Sequence, residues 1–244
     1  MARVFITGSA DGLGMLAARS LLEQGHKVVL HARNAQRGVD AMKKNPAAEA
    51  VLTGDLSDVE QTKNLARDAN HFGAFDVVIH NAGVYRASNE VFAVNTLAPY
   101  VLTCLMQKPK RLIYLSSGMH FQGHWKLDNL KGDTTQITYS DSKLYVLMLC
   151  MAVAAKWKDV YVNAVDPGWV PTKMGGRGAP DNLQKGYETQ VWLAVSNDEK
   201  AKDSGHYFFH KKERRHNPEA DNAILQTRFL SVCKEITGVS FPED

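Results

Sequence analysis

Tyr139 and Lys143 stand four residues apart in the stretch YSDSK, a spacing that puts both on one face of a helix. An ammonium close to a phenol favours the phenolate, so the pair reads as a proton donor or acceptor working near neutral pH, with Lys143 lowering the tyrosine pKa. A second stretch, ITGSADGLG, spaces Gly8, Gly12 and Gly14 closely. It follows the apolar run RVFI and precedes LGMLAARSLLEQG, whose Leu13, Leu16, Ala17, Leu21 and Leu22 recur at helical spacing, with Gly25 as the expected C-terminal cap. Strand, glycine turn and helix in that order bring free backbone N–H groups and the positive end of a helix dipole to one point, where a diphosphate is stabilised. The spacing Gly-x3-Gly-x-Gly differs from the commoner Gly-x-Gly-x-x-Gly fingerprint, so on its own the turn leaves phosphate binding and a purely structural bend both open.

The rest of the chain must bring these two stretches together. HKVVLHAR reads as a second strand and AEAVLTGDL as a third that ends at Asp55. Ser57 with Glu60 forms an expected capping box for the helix SDVEQTKNLARDA. FDVVIHNAG is a strand running into a turn, VFAVNTLAPYVLTCLM a packed helix and RLIYLSS a fifth strand. A long polar segment, residues 118–138, precedes the helix YSDSKLYVLMLCMAVAAKW. VYVNAVDPG is a sixth strand, DNLQKGYETQVWLAVS a late helix and HYFFH a short final strand. Alternating strands and helices imply right-handed crossovers and a single α/β domain over residues 1–244, with a doubly wound parallel sheet. In such a sheet the site lies beyond the C-terminal ends of the strands. The segments TGSADGLG, HARN, GDLSD, NAG, SSG and DPGWVPT all fall there.

Composition narrows the function classes. The 244 residues carry a formal net charge of +3, 44% hydrophobic and 23% charged residues, which fits a globular enzyme and points to no nucleic-acid partner. The basic run HKKERRH, residues 210–216, has no interleaved aromatic platform and reads as a solvated loop. Cys104, Cys150 and Cys233 lack the paired spacing of a disulfide framework or zinc site, and no metal is expected. No apolar run reaches the ~18 residues of a membrane span, and the first strand begins too early for a signal peptide. A cytoplasmic protein with no membrane partner is expected.

Taken in order, TGSADGLG, GDL, NAG, VN, SS, YSDSK and DPGWVPT resemble the short-chain dehydrogenases/reductases over nearly the whole chain. The resemblance implies a Rossmann fold and assigns roles position by position. Tyr139 would deliver the proton, Ser117 would polarise the substrate carbonyl, Lys143 would hold the nicotinamide ribose, and Asn95 would position a water in the proton relay. Cofactor contacts would come from Gly8, Ser9, Asp11, Gly12, Leu13 and Gly14 in the turn, and from Asp55 and Leu56 on the adenine side. Asn81, Ala82 and Gly83 would lie near the ribose, and Pro167, Gly168, Val170 and Thr172 at the nicotinamide end, beside Tyr139 and Lys143. His80 departs from the family's usual Asn and is read as tolerated.

Two further features refine the reading. The segment 118–138 is about twice the family's usual length and resembles the retinol-dehydrogenase-like branch; His120, Phe121, His124 and Trp125 are expected to line a substrate pocket with Trp169, packing being the alternative for each. At the end of the second strand, Ala32 and Arg33 stand where an NAD-selecting enzyme places a carboxylate. Arg33 can offer a planar fork to a 2′-phosphate, so NADP is the expected cofactor, with NAD possible. The implied function is a carbonyl reductase or alcohol dehydrogenase moving a hydride between NADP(H) and an apolar aldehyde, ketone or secondary alcohol. The alternative is a catalytically silent NADP-binding sensor, against which the intact Ser117, Tyr139, Lys143 and Asn95 set speaks. A homo-oligomer through the helices of residues 91–106 and 139–157 is the family's habit, though their apolar faces serve a core equally well.

Overall fold

The computed structural model describes residues 1–85, 90–129 and 133–242. Its central strand, β1 (Arg3–Ile6), is apolar and enclosed, as a parallel strand covered on both faces must be. The sheet order is β3-β2-β1-β4-β5-β6-β7-β8, with β2 Lys27–Ala32, β3 Ala50–Thr53, β4 Val77–His80, β5 Arg111–Leu115, β6 Tyr161–Asp166, β7 His206–Phe209 and β8 Lys212–Glu213. All pairings are parallel except the last, in which Phe208 faces Glu213 in an antiparallel hairpin. Its two turn residues, His210 (φ 51°) and Lys211 (φ 60°), both adopt the left-handed conformation that a two-residue hairpin requires. This hairpin was not foreseen, because neither residue is a Gly, Asn or Asp.

Strand order reverses between β1 and β4, and a doubly wound sheet opens a crevice at that point. The helices α1 (Gly12–Glu23), α2 (Ala35–Lys44), α3 (Val59–Phe72), α4 (Ala98–Leu105), α5 (Tyr139–Lys156), α6 (Leu183–Val195) and α7 (Ala223–Thr237) cover the two faces. The expected capping box at Ser57 is replaced by Asp58, which accepts from Gln61 N–H at 3.0 Å, while Ser57 donates to Asp55. The box that does form, Thr138 with Asp141, starts α5 at Tyr139 and so sets the height of the tyrosine.

Residues 91–106 were expected as one helix, but Ala93–Leu97 form a π turn, in which Ala98 N–H reaches back to Ala93 O before α4 begins. Pro99 is the reason: it has no N–H to give to the fourth carbonyl back, that of Asn95, so the α-helical ladder cannot run through this point. Helix α5 is buried along Ser140–Ala154. Among its coverings are α7 and the segment after Ser117, where Tyr145 Oη donates to His124 O at 2.8 Å. The apolar length of α5, read as either core or oligomer surface, thus packs within this chain along Ser140–Ala154.

No helix among the described residues is long and apolar enough to cross a membrane. Residues 130–132 of the long polar segment lie outside the described residues.

Candidate active site

The glycine turn is closed by the segment after β4. Gly8 has φ +65°, and a Cβ there would stand 2.8 Å from Ala82 Cα; one on Gly14 would strike Asn81 Nδ2 and come within 2.7 Å of Gly8 O. Asn81 donates to Thr7 O at 2.9 Å, and Ala82 N–H to Thr7 Oγ1 at 3.1 Å. Glycine is needed at these two positions because the NAG backbone crosses directly over the turn.

His31 provides a second clamp: its Nδ1 accepts from Gly8 N–H at 2.9 Å, and its Nε2 bonds Gly54 O at 3.0 Å. Those partners define a neutral ring with the proton on Nε2, and burial pushes its pKa down to about 4. Sequence reasoning missed His31, since a histidine near the end of a buried strand carries no local signal of its distant partners.

A cleft of about 410 Å³ runs from Arg33 and Asp55, past Gly8, Gly12 and Leu13, to Tyr139 and Lys143. Leu56, Asn81, Ala82, Gly83, Pro167 and Thr172 also line it. Of the residues expected at the cofactor, Ser9, Gly14, Gly168 and Val170 are not part of this lining. Ser9 is fully buried; its hydroxyl donates to Ile6 O and accepts from His31 N–H, each at 2.8 Å, so it ties β1 to β2. Gly168 makes the turn after β6 at φ +79°, and Val170 is buried.

Asp11 caps α1 through Gly12 N–H at 2.9 Å. It also pairs with Lys173, which holds its carboxyl below the usual carboxylate range.

At the adenine end Arg33 Nε donates to Asp55 at 2.8 Å and its Nη2 to Glu90 at 3.0 Å. The two carboxylates fix the guanidinium across the cleft mouth. Arg37, which also lines the cleft, has only a 4.0 Å contact with Asp11. Glu90, Arg37 and Lys173 went unnoticed in the sequence because each reaches the cleft from a separate element.

At the other end the Ser117 side chain stands beside Tyr139, and its hydroxyl accepts from Met119 N–H at 3.2 Å. The neighbouring Ser116 is committed elsewhere, its hydroxyl donating to Lys143 O at 2.8 Å. Lys143 Nζ lies 5.5 Å from the Tyr139 ring centroid and donates to Leu115 O at 2.8 Å. The expectation that Lys143 lowers the tyrosine pKa is not met: burial pushes Tyr139 up to about 12, with the neighbouring Ser117 hydroxyl opposing. The ammonium sits over the ring face and is itself brought down to about 8 by burial, against the pull of Asp166.

Asn95, fully buried in the π turn, accepts from Val84 N–H at 2.8 Å and donates to Val84 O at 2.9 Å and Ser142 Oγ at 3.0 Å. Its side chain thus fastens the turn after NAG to α5. Tyr85 meets the Tyr139 ring edge-on at 4.9 Å.

The aromatic residues after Ser117 divide into two groups. Phe121 and Trp169 are exposed. His120 is enclosed, its Nδ1 bonding Ser117 O at 2.6 Å and its Nε2 accepting from Asn217 N–H at 3.1 Å. Trp125 turns away to Asp128 at 2.6 Å and packs against Tyr145, and His124 gives its backbone N–H to Asp141 at 2.9 Å. These three hold the segment down and are not part of the cleft lining. His80 is buried against Tyr114 and Thr103, away from the cleft. Among the described residues no three His, Cys, Asp or Glu side chains gather as metal ligands.

The family model for short chain dehydrogenase matches residues 2–113. A short-chain dehydrogenase of Penicillium rubens, chyC, is 40% identical across 99% of this chain and 100% of its own length. The chain belongs to the short-chain dehydrogenase family. An oxidoreductase of Emericella nidulans shares 46% identity over 99% of both chains. Human retinol dehydrogenase 13 is 25% identical over 98% of this chain and 85% of its own, which bears out the retinol-dehydrogenase-like branch. Among solved structures, a short-chain dehydrogenase of Shigella flexneri complexed with NADP superposes with a TM-score of 0.67 at 21% identity, covering 86% of this chain and 97% of that one. This short-chain dehydrogenase is thus a nicotinamide-dependent oxidoreductase acting on CH–OH or C=O groups, and the glycine cradle and the cleft ending at Tyr139 fit such a cofactor.

Proposed function

We propose that this short-chain dehydrogenase reduces an apolar ketone or aldehyde with NADPH. The observation that carries the reading is Ser117 beside Tyr139, with Lys143 at 5.5 Å from the tyrosine ring and both Tyr139 and Lys143 on the wall of the cleft. Two neighbouring hydroxyls present a site where one carbonyl oxygen can accept from both. Ser117 orients and polarises that oxygen, and Tyr139 gives it a proton as negative charge develops. The nicotinamide, when bound, supplies the hydride for the carbonyl carbon. Lys143, anchored on Leu115 O, would meet the ribose hydroxyls, and Asn95 keeps the NAG turn in register with α5. The exposed Tyr85, Phe121, Trp169 and Met174 supply apolar surface on the loops after the strands, in keeping with an apolar substrate.

NADP is favoured by the absence of a carboxylate at Ala32 and by two guanidiniums, Arg33 and Arg37, on the adenine side of the cleft. Purified protein incubated with NADPH and a panel of aryl and alkyl ketones should oxidise the cofactor, and no turnover of any carbonyl compound would refute the reading. Arg33→Ala is expected to weaken NADPH by about 1.5–3 kcal/mol with little effect on NADH. Equal losses would show that Arg33 only braces Asp55 and Glu90.

A further inference from the structure

Immediately after Ser117 the chain folds back on it in a 3-10 turn, Gly118–Gln122. Ser117 O accepts twice from one residue, from His120 N–H at 3.0 Å and from the His120 ring at Nδ1, 2.6 Å away. The ring is fully buried and meets the rings of Phe121 and Tyr207 at centroid distances of 4.3 and 4.8 Å. Its other nitrogen, Nε2, meets Asn217 N–H at 3.1 Å, in the segment between β8 and α7.

These partners fix the tautomer. A backbone N–H can only donate and a carbonyl can only accept, so Nε2 is bare and Nδ1 carries the proton. Burial pushes the ring's pKa below the usual histidine value, which keeps it neutral. The Ser117 hydroxyl is settled in the same turn. Its Oγ accepts from Met119 N–H at 3.2 Å, and the single hydroxyl proton is left to donate. Donation is what a serine that polarises a carbonyl must do.

We propose that His120 is a positioning residue: by holding the Ser117 carbonyl it fixes the backbone from which the serine hydroxyl is presented to the substrate carbonyl beside Tyr139, and it ties that geometry to the segment of Asn217. His120 is not part of the cleft lining and acts through Ser117. A preorganised donor gains most where the carbonyl oxygen takes on negative charge, in the transition state. Losing His120 therefore falls on kcat and spares KM.

This inference rests on the carbonyl-reduction reading and deepens its account of Ser117. Two substitutions separate the bonds of the ring. An Asn side-chain N–H can stand where Nδ1–H stands, and a Gln side-chain oxygen where Nε2 stands, so His120→Asn can keep the Ser117 bond and His120→Gln the Asn217 bond. With NADPH and the aryl or alkyl ketone that the wild type turns over fastest, His120→Gln is expected to lower kcat about 10- to 100-fold with KM nearly unchanged. His120→Asn should recover most of that loss. In a Ser117→Ala background His120→Gln should cost nothing further, because a residue that acts only through Ser117 has nothing left to act on.

A kcat loss that His120→Asn shares in full, or one that persists undiminished in Ser117→Ala, would overturn the assignment and leave His120 a core residue. An Nε2–H tautomer in 15N NMR of the wild-type protein would overturn it without any variant. Unchanged kcat in Ser117→Ala alone would refute the polarising serine itself and the positioning of it together. If the wild type reduces no ketone, the reduction reading falls, and amide exchange at Met119, whose N–H is held by the Ser117 hydroxyl, still decides whether His120 holds the serine. Faster exchange in His120→Gln than in His120→Asn supports it; equal exchange in the wild type and both variants overturns it.

Discussion

A phenol in a buried site is a weak acid, and Tyr139, pushed up to about 12, donates readily only to an oxygen that is becoming an alkoxide. That is the demand made by hydride addition to a carbonyl. Tyr139→Phe should therefore lower kcat by about 10²–10⁴-fold while the NADPH dissociation constant, followed by cofactor fluorescence, stays nearly unchanged. Retention of more than about a tenth of kcat would remove Tyr139 from the proton path. Lys143→Ala should differ by weakening both quantities, because its ammonium lies at the cleft wall as well as against the tyrosine ring. The tyrosine and lysine were legible because a four-residue spacing fixes a shared helical face before any tertiary contact is known. Tyr85 and His31 were not: each acquires its position from elements distant in the chain, as with His31 between Gly8 and Gly54.

Among the elements, the segment between Ser117 and Tyr139 departs furthest from expectation. Its length marked it as a pocket wall, yet several bonds of its described residues run outward, to α5 and α7. Asp141 is almost wholly enclosed and accepts from Lys126 Nζ at 2.7 Å and His124 N–H at 2.9 Å, Tyr145 Oη accepts from Lys126 N–H at 3.0 Å, and Asp128 pairs with Arg228 of α7 at 2.9 Å. The segment works as a brace on the first turns of the helix that carries Tyr139. Trp125→Ala should accordingly lower stability by about 2 kcal/mol, or roughly 4–8 °C in Tm, and leave the ranking of ketone substrates unchanged. A changed ranking with an unchanged melting temperature would return Trp125 to the pocket. The alternating strands and helices were readable from periodicity, whereas the π turn at Ala93–Leu97 and the His210–Lys211 hairpin turn were not. Both depend on single backbone groups, the missing Pro99 N–H and two left-handed residues without glycine.

At the scale of the whole molecule, two neutral buried histidines, one on the cleft wall and one away from it, tie folding to pH. Burial drives His31 down to about 4 and His80 to about 3, from 6.5 in an exposed chain. His31 needs its bare Nδ1 for Gly8 N–H, and His80 Nδ1 has no hydrogen-bond partner among the described residues. Below pH 6.5 the unfolded chain takes up protons at both positions while the native protein does not until about pH 4, so the two contributions are full above 6.5 and are lost as the pH falls. Each histidine adds a slope of about 1.4 kcal/mol per pH unit across that window. His206, raised by Glu213 and Asp203 against the effect of burial, works in the opposite sense and offsets part of the loss. Urea unfolding at pH 7, 6 and 5 should therefore show stability falling with acid. His80→Leu, which removes one titrating ring and leaves Thr103 bonded to Tyr114 at 2.7 Å, should reduce the fall by about one histidine's share. An unchanged slope in His80→Leu would show that His80 is free to charge in the native state and that acid acts elsewhere in the fold.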